Sequence, residues 1–353
     1  MSFIGIVLVI YIHSYNINKD VATPPISSLG FVNAYVQNFI ANGLCRTAVP
    51  LFFLFSGFLF FLKYDFTLEG VLSKYKSRVK SLVYPYILWS FWGILVFYIL
   101  QQLPYVKHFF TGHHIADYNI SQLLFILFLD PFTYPLWFIR DLIFIVAATP
   151  LIYLLLKNKW VSMVFVAAVF GLWFFDVRFI AVRKDIEAVF YFVFGAFCAM
   201  DRRLDNISFK KYGTVAVFGW VLICTLYTFF NVTQKDSIIL NLILLKSDMI
   251  LGLISIWYLY DCVFQKKNIQ DVQESKVFKW SNFTFFIFLF HEPLLTILKK
   301  VSFAVAGKSG MAALAIYLFL PLFILVASLI VGTFLNKNLP KLYAFAVGGR
   351  SAS

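Results

Sequence analysis

The sequence predicts an all-α, polytopic transmembrane helix bundle of about ten spans with both termini in the cytoplasm. Three observations predict it. Apolar stretches of about 17 to 25 residues, each long enough to cross a hydrocarbon core of about 30 Å as a helix, recur from end to end. The composition is 61% hydrophobic and 13% charged with a mean hydropathy of +0.83. Lysines and arginines concentrate in alternate connections, the asymmetry that orients membrane proteins.

Taken in order, the first span is 1–17, MSFIGIVLVIYIHSYNI. It has no basic n-region and no small-residue cleavage site, so it is expected to be retained as a span. Spans at 44–62, 81–101, 135–156, 160–176 and 186–200 follow. Those at 212–231, 238–264, 282–298 and 311–335 complete the bundle. Segment 119–130, NISQLLFILFLD, is too short to cross and is expected to be a half-helix or re-entrant piece before Pro131 and Pro135. The chain divides into one transmembrane domain, 1–340, and a short tail, 341–353. No repeat of the transporter kind is visible.

The net charge of +13 does not point to nucleic acid, because the basic residues lie in the connections between spans. Eighteen fall in one alternate set of connections and nine in the other, with Arg46, Arg140 and Lys246 within or at the edge of spans. That bias places both termini inside, with basic loops against anionic headgroups. Cys45, Cys198, Cys224 and Cys262 are far apart, without the spacing of a zinc site or redox motif, and are expected to be inert packing residues.

An ionisable side chain at bilayer depth costs roughly 2.5 to 3.5 kcal/mol even on insertion scales, so its default is a partner, a cavity or a site. His13 lies late in an outward-running span 1, and Arg46 at the start of an inward-running span 2, CRTAVPLFFLFSGFLFF. Arg140 and Asp141 open span 4, PLWFIRDLIFIV, while His291 and Glu292 lie beyond the midpoint of span 9, FTFFIFLFHEPLL. Four helices are thus expected to bring two imidazoles and two guanidiniums to one depth in the outer half. The bland alternative is that each is a satisfied interface residue or a cation snorkelling to headgroups. Helical spacing puts Arg46, Pro50, Phe53 and Gly57 on one face of span 2, where Gly57 admits a close helix or an elongated ligand. Thr284, Phe288, His291 and Leu295 share a face of span 9.

His13 at the end of an apolar first span, RTAVPLFFLFSGFLFF (46–61), KYKSRVKSLVYPYILW (74–89), LWFIRDLI (136–143) and FFIFLFHEPLL (285–295) together resemble the acyltransferase family 3 membrane proteins. The resemblance covers nearly the whole chain, with the motifs in the family's order. It implies transfer of an acyl group, most often acetyl from acetyl-CoA, to hydroxyls of extracytoplasmic or lipid-linked glycans in the bacterial cytoplasmic (inner) membrane. No metal is implied. It also implies that His13 is the essential first-span histidine and that Arg46, Arg140 and His291 are further motif positions, with Asp141 and Glu292 in support. Position 2 is Ser2, where the family usually has a basic residue, so either the chain starts late or this subgroup lacks that cation. No hydrolase-like domain follows the last span, so such a member would act alone or pass its acyl group to a separate protein.

The implied chemistry suits these residue types. A sugar hydroxyl attacking a thioester needs a base that ionises near neutrality, which histidine is. The developing oxyanion, or the phosphates of CoA, call for arginine. The rival class is a multi-span transporter or flippase in which the same residues form an ion pathway.

Overall fold

The computed structural model describes residues 2–17, 25–26, 28–62, 66–104, 114–177, 186–200, 211–233, 237–264 and 269–350, and all regular structure among them is helical. The basic connections at 178–185, 201–210 and 265–268 lie outside the described residues.

Helix α1 (Ser2–Ser14) is apolar all round, as befits a helix enclosed by others, and buries Ile6, Val9 and Ile10. Helix α2 (Leu29–Gln37) starts at Ser28, whose hydroxyl accepts from the Phe31 amide. It runs through a π turn at Asn38–Gly43 and a 3-10 turn at Leu44–Thr47 into α3 (Ala48–Phe61). Residues 29–43 thus form helix ahead of the span expected at 44–62. Their side-chain amides pair along it: Gln37 donates to Asn33 at 2.8 Å and Asn42 to Asn38 at 2.7 Å. The basic stretch after α3 is likewise helical. In α4 (Leu68–Arg78), Thr67 caps the N-terminus, Glu69 lies in the first turn, and Lys76 and Arg78 in the last, each sign matched to the helix dipole. A π turn, Val79–Val83, leads into α5 (Tyr84–Gln102).

The short segment expected at 119–130 is α6 (Ile120–Phe128), closed by a capping box between Asn119 and Gln122. The span expected at 135–156 is broken. Helices α7 (Trp137–Ala147) and α8 (Thr149–Leu156) meet at a 58° bend just ahead of Pro150, which cannot donate to the preceding turn. Next come α9 (Lys159–Phe174), α10 (Ile186–Met200), α11 (Gly213–Thr233) and α12 (Ile238–Phe264). The short α13 (Ile269–Glu274) and α14 (Lys276–Ser281) precede α15 (Thr284–Ala306), α16 (Gly310–Asn338) and α17 (Pro340–Ala346).

Each of the ten expected spans coincides with a helix, but the helices differ in length. Five are long and apolar enough to cross a membrane: 29–61, 68–102, 213–233, 238–264 and 310–338. The bent α7–α8 pair makes six if it is one span, and α1, α9 and α10 are shorter. Helices α11 and α16 leave Val215, Phe218, Phe319 and Ile330 exposed, the outward apolar face of a multi-pass membrane protein.

The core has two parts. The larger gathers Phe53, Phe60, Tyr86, Ile139, Trp173 and Phe192 between α3, α5, α7, α9 and α10. The smaller joins Ile6, Ile10, Ile287, Leu295, Ile316 and Ile324 of α1, α15 and α16. Helices α3 and α10 approach most closely. A Cβ on Gly57 would collide with the Phe192 carbonyl, and one on Gly195 with the Leu54 carbonyl, so the close partner of Gly57 is a helix.

Residues 341–350, expected as a tail, pack back onto the bundle. Tyr343 is buried against Phe283 and Phe286, Trp89 Nε1 donates to the Ala346 carbonyl, and Arg350 Nη1 donates to the Ser81 carbonyl. Burial first, then the Arg78 charge, lower the Arg350 guanidinium to about 10, which still leaves it charged at neutral pH. Because Ser2 lines a cavity with Arg78 and Leu82, both described chain ends lie at the same end of the bundle as the basic α4.

Candidate active site

The break in α15 builds the centre of the site. Glu292 has extended backbone angles (φ −110°, ψ 137°) and Pro293 follows it, so the helix stops at His291 and restarts at Pro293. Proline suits the first position of a helix because its missing N–H would have had no partner there. Glu292 then behaves as the N-cap of the second half. Its carboxylate accepts from the Thr296 amide at 3.2 Å and the Thr296 hydroxyl at 3.0 Å.

His291 is therefore the last residue of the first half. It is fully buried, and its Nδ1 lies 3.1 Å from the Ile287 carbonyl. A carbonyl only accepts, so Nδ1 carries the proton in this bond and a neutral ring presents the Nε2 lone pair. That Nε2 is buried with no hydrogen-bond partner among the described residues.

The imidazole of His13, at the end of α1, lies with its centroid 5.5 Å from that of His291, the planes tilted by 35°. Tyr134, in the turn that opens α7, meets His13 edge-on at 5.5 Å. Unlike His291, His13 is only partly buried. The two imidazoles expected at one depth are thus in contact, although more than 270 residues apart in sequence.

The two arginines are arranged differently. Arg140 donates from Nε to Asp141 Oδ1 at 2.7 Å, with Nη2 ion-paired 2.6 Å from the same oxygen, and donates from Nη1 to the Leu129 carbonyl at 2.7 Å. The guanidinium therefore ties α7 to the end of α6. Arg46, in the 3-10 turn before α3, and Glu187 of α10, both partly buried, form a second electrostatic group with buried Lys246 and Asp248 of α12 and Tyr191 of α10. Lys246 Nζ sits 4.5 Å above the Trp173 ring, a cation–π contact, and Asp248 is fully buried beside Trp220. The titratable groups beside His13 are Lys299 and His291, not Arg46. Thr284 donates to the Ser281 carbonyl at the start of α15, about two turns from His291.

Sequence reasoning missed Tyr134, Lys299 and the partners of Arg46. The signal for the last was present: LLKSDMI sets Lys246 and Asp248 inside a 27-residue apolar helix, where an ionisable pair calls for a partner.

A cavity of about 610 Å³ opens between α1, α3, α7, α10 and α12. Its walls are apolar, with Leu51, Phe52, Phe55 and Phe192, while Ser2, Arg78 and Asp261 bring polar groups. That volume is in the range of small-molecule sites, about 300 to 1,000 Å³. Among the described residues no three His, Cys, Asp or Glu side chains cluster as metal ligands.

A family model described as "Acyltransferase domain", of the acyltransferase 3 type, matches residues 3–336. No curated protein and no solved structure matches the chain.

Proposed function

Because the chain belongs to the acyltransferase 3 family of membrane acyltransferases, we propose that it transfers an acyl group, acetyl from acetyl-CoA, to a hydroxyl of an extracytoplasmic or lipid-linked glycan. The membrane is the bacterial cytoplasmic (inner) membrane. The observation that carries the reading is the His13–His291 contact at 5.5 Å, with one ring partly buried and the other fully buried and fixed.

The two rings divide the work by access. A glycan hydroxyl can reach the partly exposed His13 but not the buried His291. His13 takes the hydroxyl proton, the oxygen attacks the thioester carbonyl, and the CoA thiolate leaves. His291 orients His13, its own orientation held by Ile287. Loss of a general base costs about 10²- to 10⁴-fold in rate.

The donor occupies the cavity at the other end. Arg78 holds phosphate oxygens at its polar end and the apolar walls take the uncharged arm. Ser2, where the family usually has a basic residue, lines this same cavity, so Arg78 supplies the positive charge there. Arg46 and Arg140 stay candidates for donor or oxyanion contact only if they leave their present partners.

The test is incubation of purified protein in lipid nanodiscs with radiolabelled acetyl-CoA and candidate glycans. Label should enter the glycan with wild-type protein and not with His13→Ala. Acceptor movement across vesicles without label incorporation would favour the transporter reading instead.

A further inference from the structure

Residues 15–17, past the end of helix α1, are irregular, and the Tyr15 amide donates to the Ile12 carbonyl of its last turn at 3.3 Å. The His13 carbonyl takes its partner from elsewhere in the bundle. Lys299 Nζ donates to the His13 carbonyl at 3.0 Å and to the Tyr15 carbonyl at 3.4 Å. An ammonium at a helix C-terminus satisfies free carbonyls and complements the negative end of the dipole.

Three residues past His13, the chain is clamped again. The Asn16 amide donates to Gln37 Oε1 at 3.1 Å, and Gln37 Nε2 donates back to Asn16 Oδ1 at 2.8 Å. The other Nε2 hydrogen goes to Asn33 Oδ1, so fully buried Gln37 spends both donors and an acceptor here. Asn16 Nδ2 completes the set on the Ala313 carbonyl of α16 at 3.0 Å.

Lys299 lies on the second half of α15, while His291 ends the first half. The separation of the imidazoles therefore depends on a connection across the break at Glu292. We infer that Lys299 and Gln37 are positioning residues that hold the C-terminal end of α1, and with it His13, against His291. This rests on the proposed role of His13. Each is hydrogen-bonded to the backbone that carries or follows His13, Lys299 to the His13 and Tyr15 carbonyls and Gln37 to the Asn16 amide.

The experiment compares Lys299→Met, Lys299→Arg and Gln37→Glu. Lys299→Met keeps the length of the side chain without its ammonium. Gln37→Glu keeps the shape but removes both donors. Lys299→Met and Gln37→Glu should each lower kcat about 10- to 100-fold, the scale of a misplaced catalytic group. Their KM values for acetyl-CoA should stay within about twofold, because no substrate contact is lost. Lys299→Arg should restore most of kcat. Hydrogen–deuterium exchange of peptide 11–17 should accelerate in Lys299→Met and Gln37→Glu and stay at the wild-type rate in Lys299→Arg.

Unchanged exchange in 11–17, unchanged kcat in Lys299→Met, or no rescue by arginine would each overturn the inference. If no acceptor supports transfer by the wild-type protein, the proposed function fails. The exchange rates still decide the anchoring, faster exchange supporting it and unchanged exchange overturning it.

Discussion

Replacing Arg140 separates two roles that activity alone would confuse. It donates to Asp141 Oδ1 and to the Leu129 carbonyl, and Nη2 is ion-paired with the same Oδ1. Contacts to one carboxylate oxygen are not the two-oxygen fork of a full bidentate pair. Asp141 is 3% exposed and Arg140 22%. Removing one partner of a buried pair leaves the other charge in low dielectric and costs about 3 to 5 kcal/mol. Because Arg140 is 22% exposed and the pair is not fully enclosed, Arg140→Ala should fall at the lower end, about 3 kcal/mol. Arg140→Lys keeps the charge, but a single ammonium on a shorter stem cannot serve both Asp141 and Leu129. It should cost about one charge-assisted hydrogen bond, 1.5 to 3 kcal/mol. The assay is unfolding of purified protein in detergent micelles, with a cycle through Asp141→Ala and the double variant, alongside acetyl transfer. Both arginine variants should unfold more easily, and the cycle should show coupling of at least about 1 kcal/mol between neighbours in contact. Arg140→Ala with wild-type stability and no transfer would refute this account and return the guanidinium to the donor or the oxyanion.

Three further outcomes are expected. His13→Ala should insert normally, since alanine is easier to bury in lipid than histidine, and lose transfer by at least about 10²-fold in a rate assay. Wild-type turnover at normal expression would remove the centre of the reading. Gly57→Ala and Gly195→Ala should each destabilise by about 1 to 3 kcal/mol or more, because the added methyl meets backbone carbonyl rather than a movable side chain. Wild-type melting of both variants would contradict the close α3–α10 approach. Cysteines placed in 18–28 and 102–118, ahead of the helix that starts at Leu29 and from the end of α5, should react with an impermeant maleimide on intact cells, whereas those in 64–80 and 266–279 should not. External labelling in 64–80 would invert the orientation drawn from the basic residues.

Hydrophobic length made the helices legible, since every apolar stretch expected to span coincides with a helix, but five of the described helices, or six with the bent pair, are long and apolar enough to cross. Polarity misled at 29–43 and 68–80. Both are helical extensions whose polar side chains are satisfied within the helix or by its ends, as Gln37, Asn42 and Thr67 show. The break in α15 was readable in HEPLL, because proline disrupts a helix interior, yet apolar periodicity hid it. The His13–His291 pairing followed from depth. The partners of Arg46 did not, because depth says nothing about azimuth around the bundle. Arg46 looks toward α10 and α12, whereas the imidazoles meet between α1 and α15. Tyr134 and Lys299 carried no periodic or motif signal, and their roles arise from contacts with His13 made only in the folded chain.

The position of the cavity relative to the imidazoles shapes the proposed reaction. Phe52 lines the cavity, its ring 6.0 Å from Phe138. Phe138 lies 5.8 Å from Phe288, and Phe288 lies 6.0 Å from His291. Three rings in series thus stand between the donor end and the imidazole pair. Phe53, packed 4.5 Å from Phe138, backs the same wall from α3. In the proposed reading a thioester must reach His13 from the side of Arg78, while the glycan arrives from the opposite side. An open water-filled path between them would expose the thioester to hydrolysis and the bilayer to proton leak. Apolar rings exclude water, and each can swing about its χ angles without breaking a hydrogen bond, unlike a gate built of polar groups. The arrangement therefore favours passage of the slender uncharged arm of the donor between aromatic rings. The phosphates stay at Arg78, because moving them past Phe138 would strip charged oxygens of water with no compensating donor.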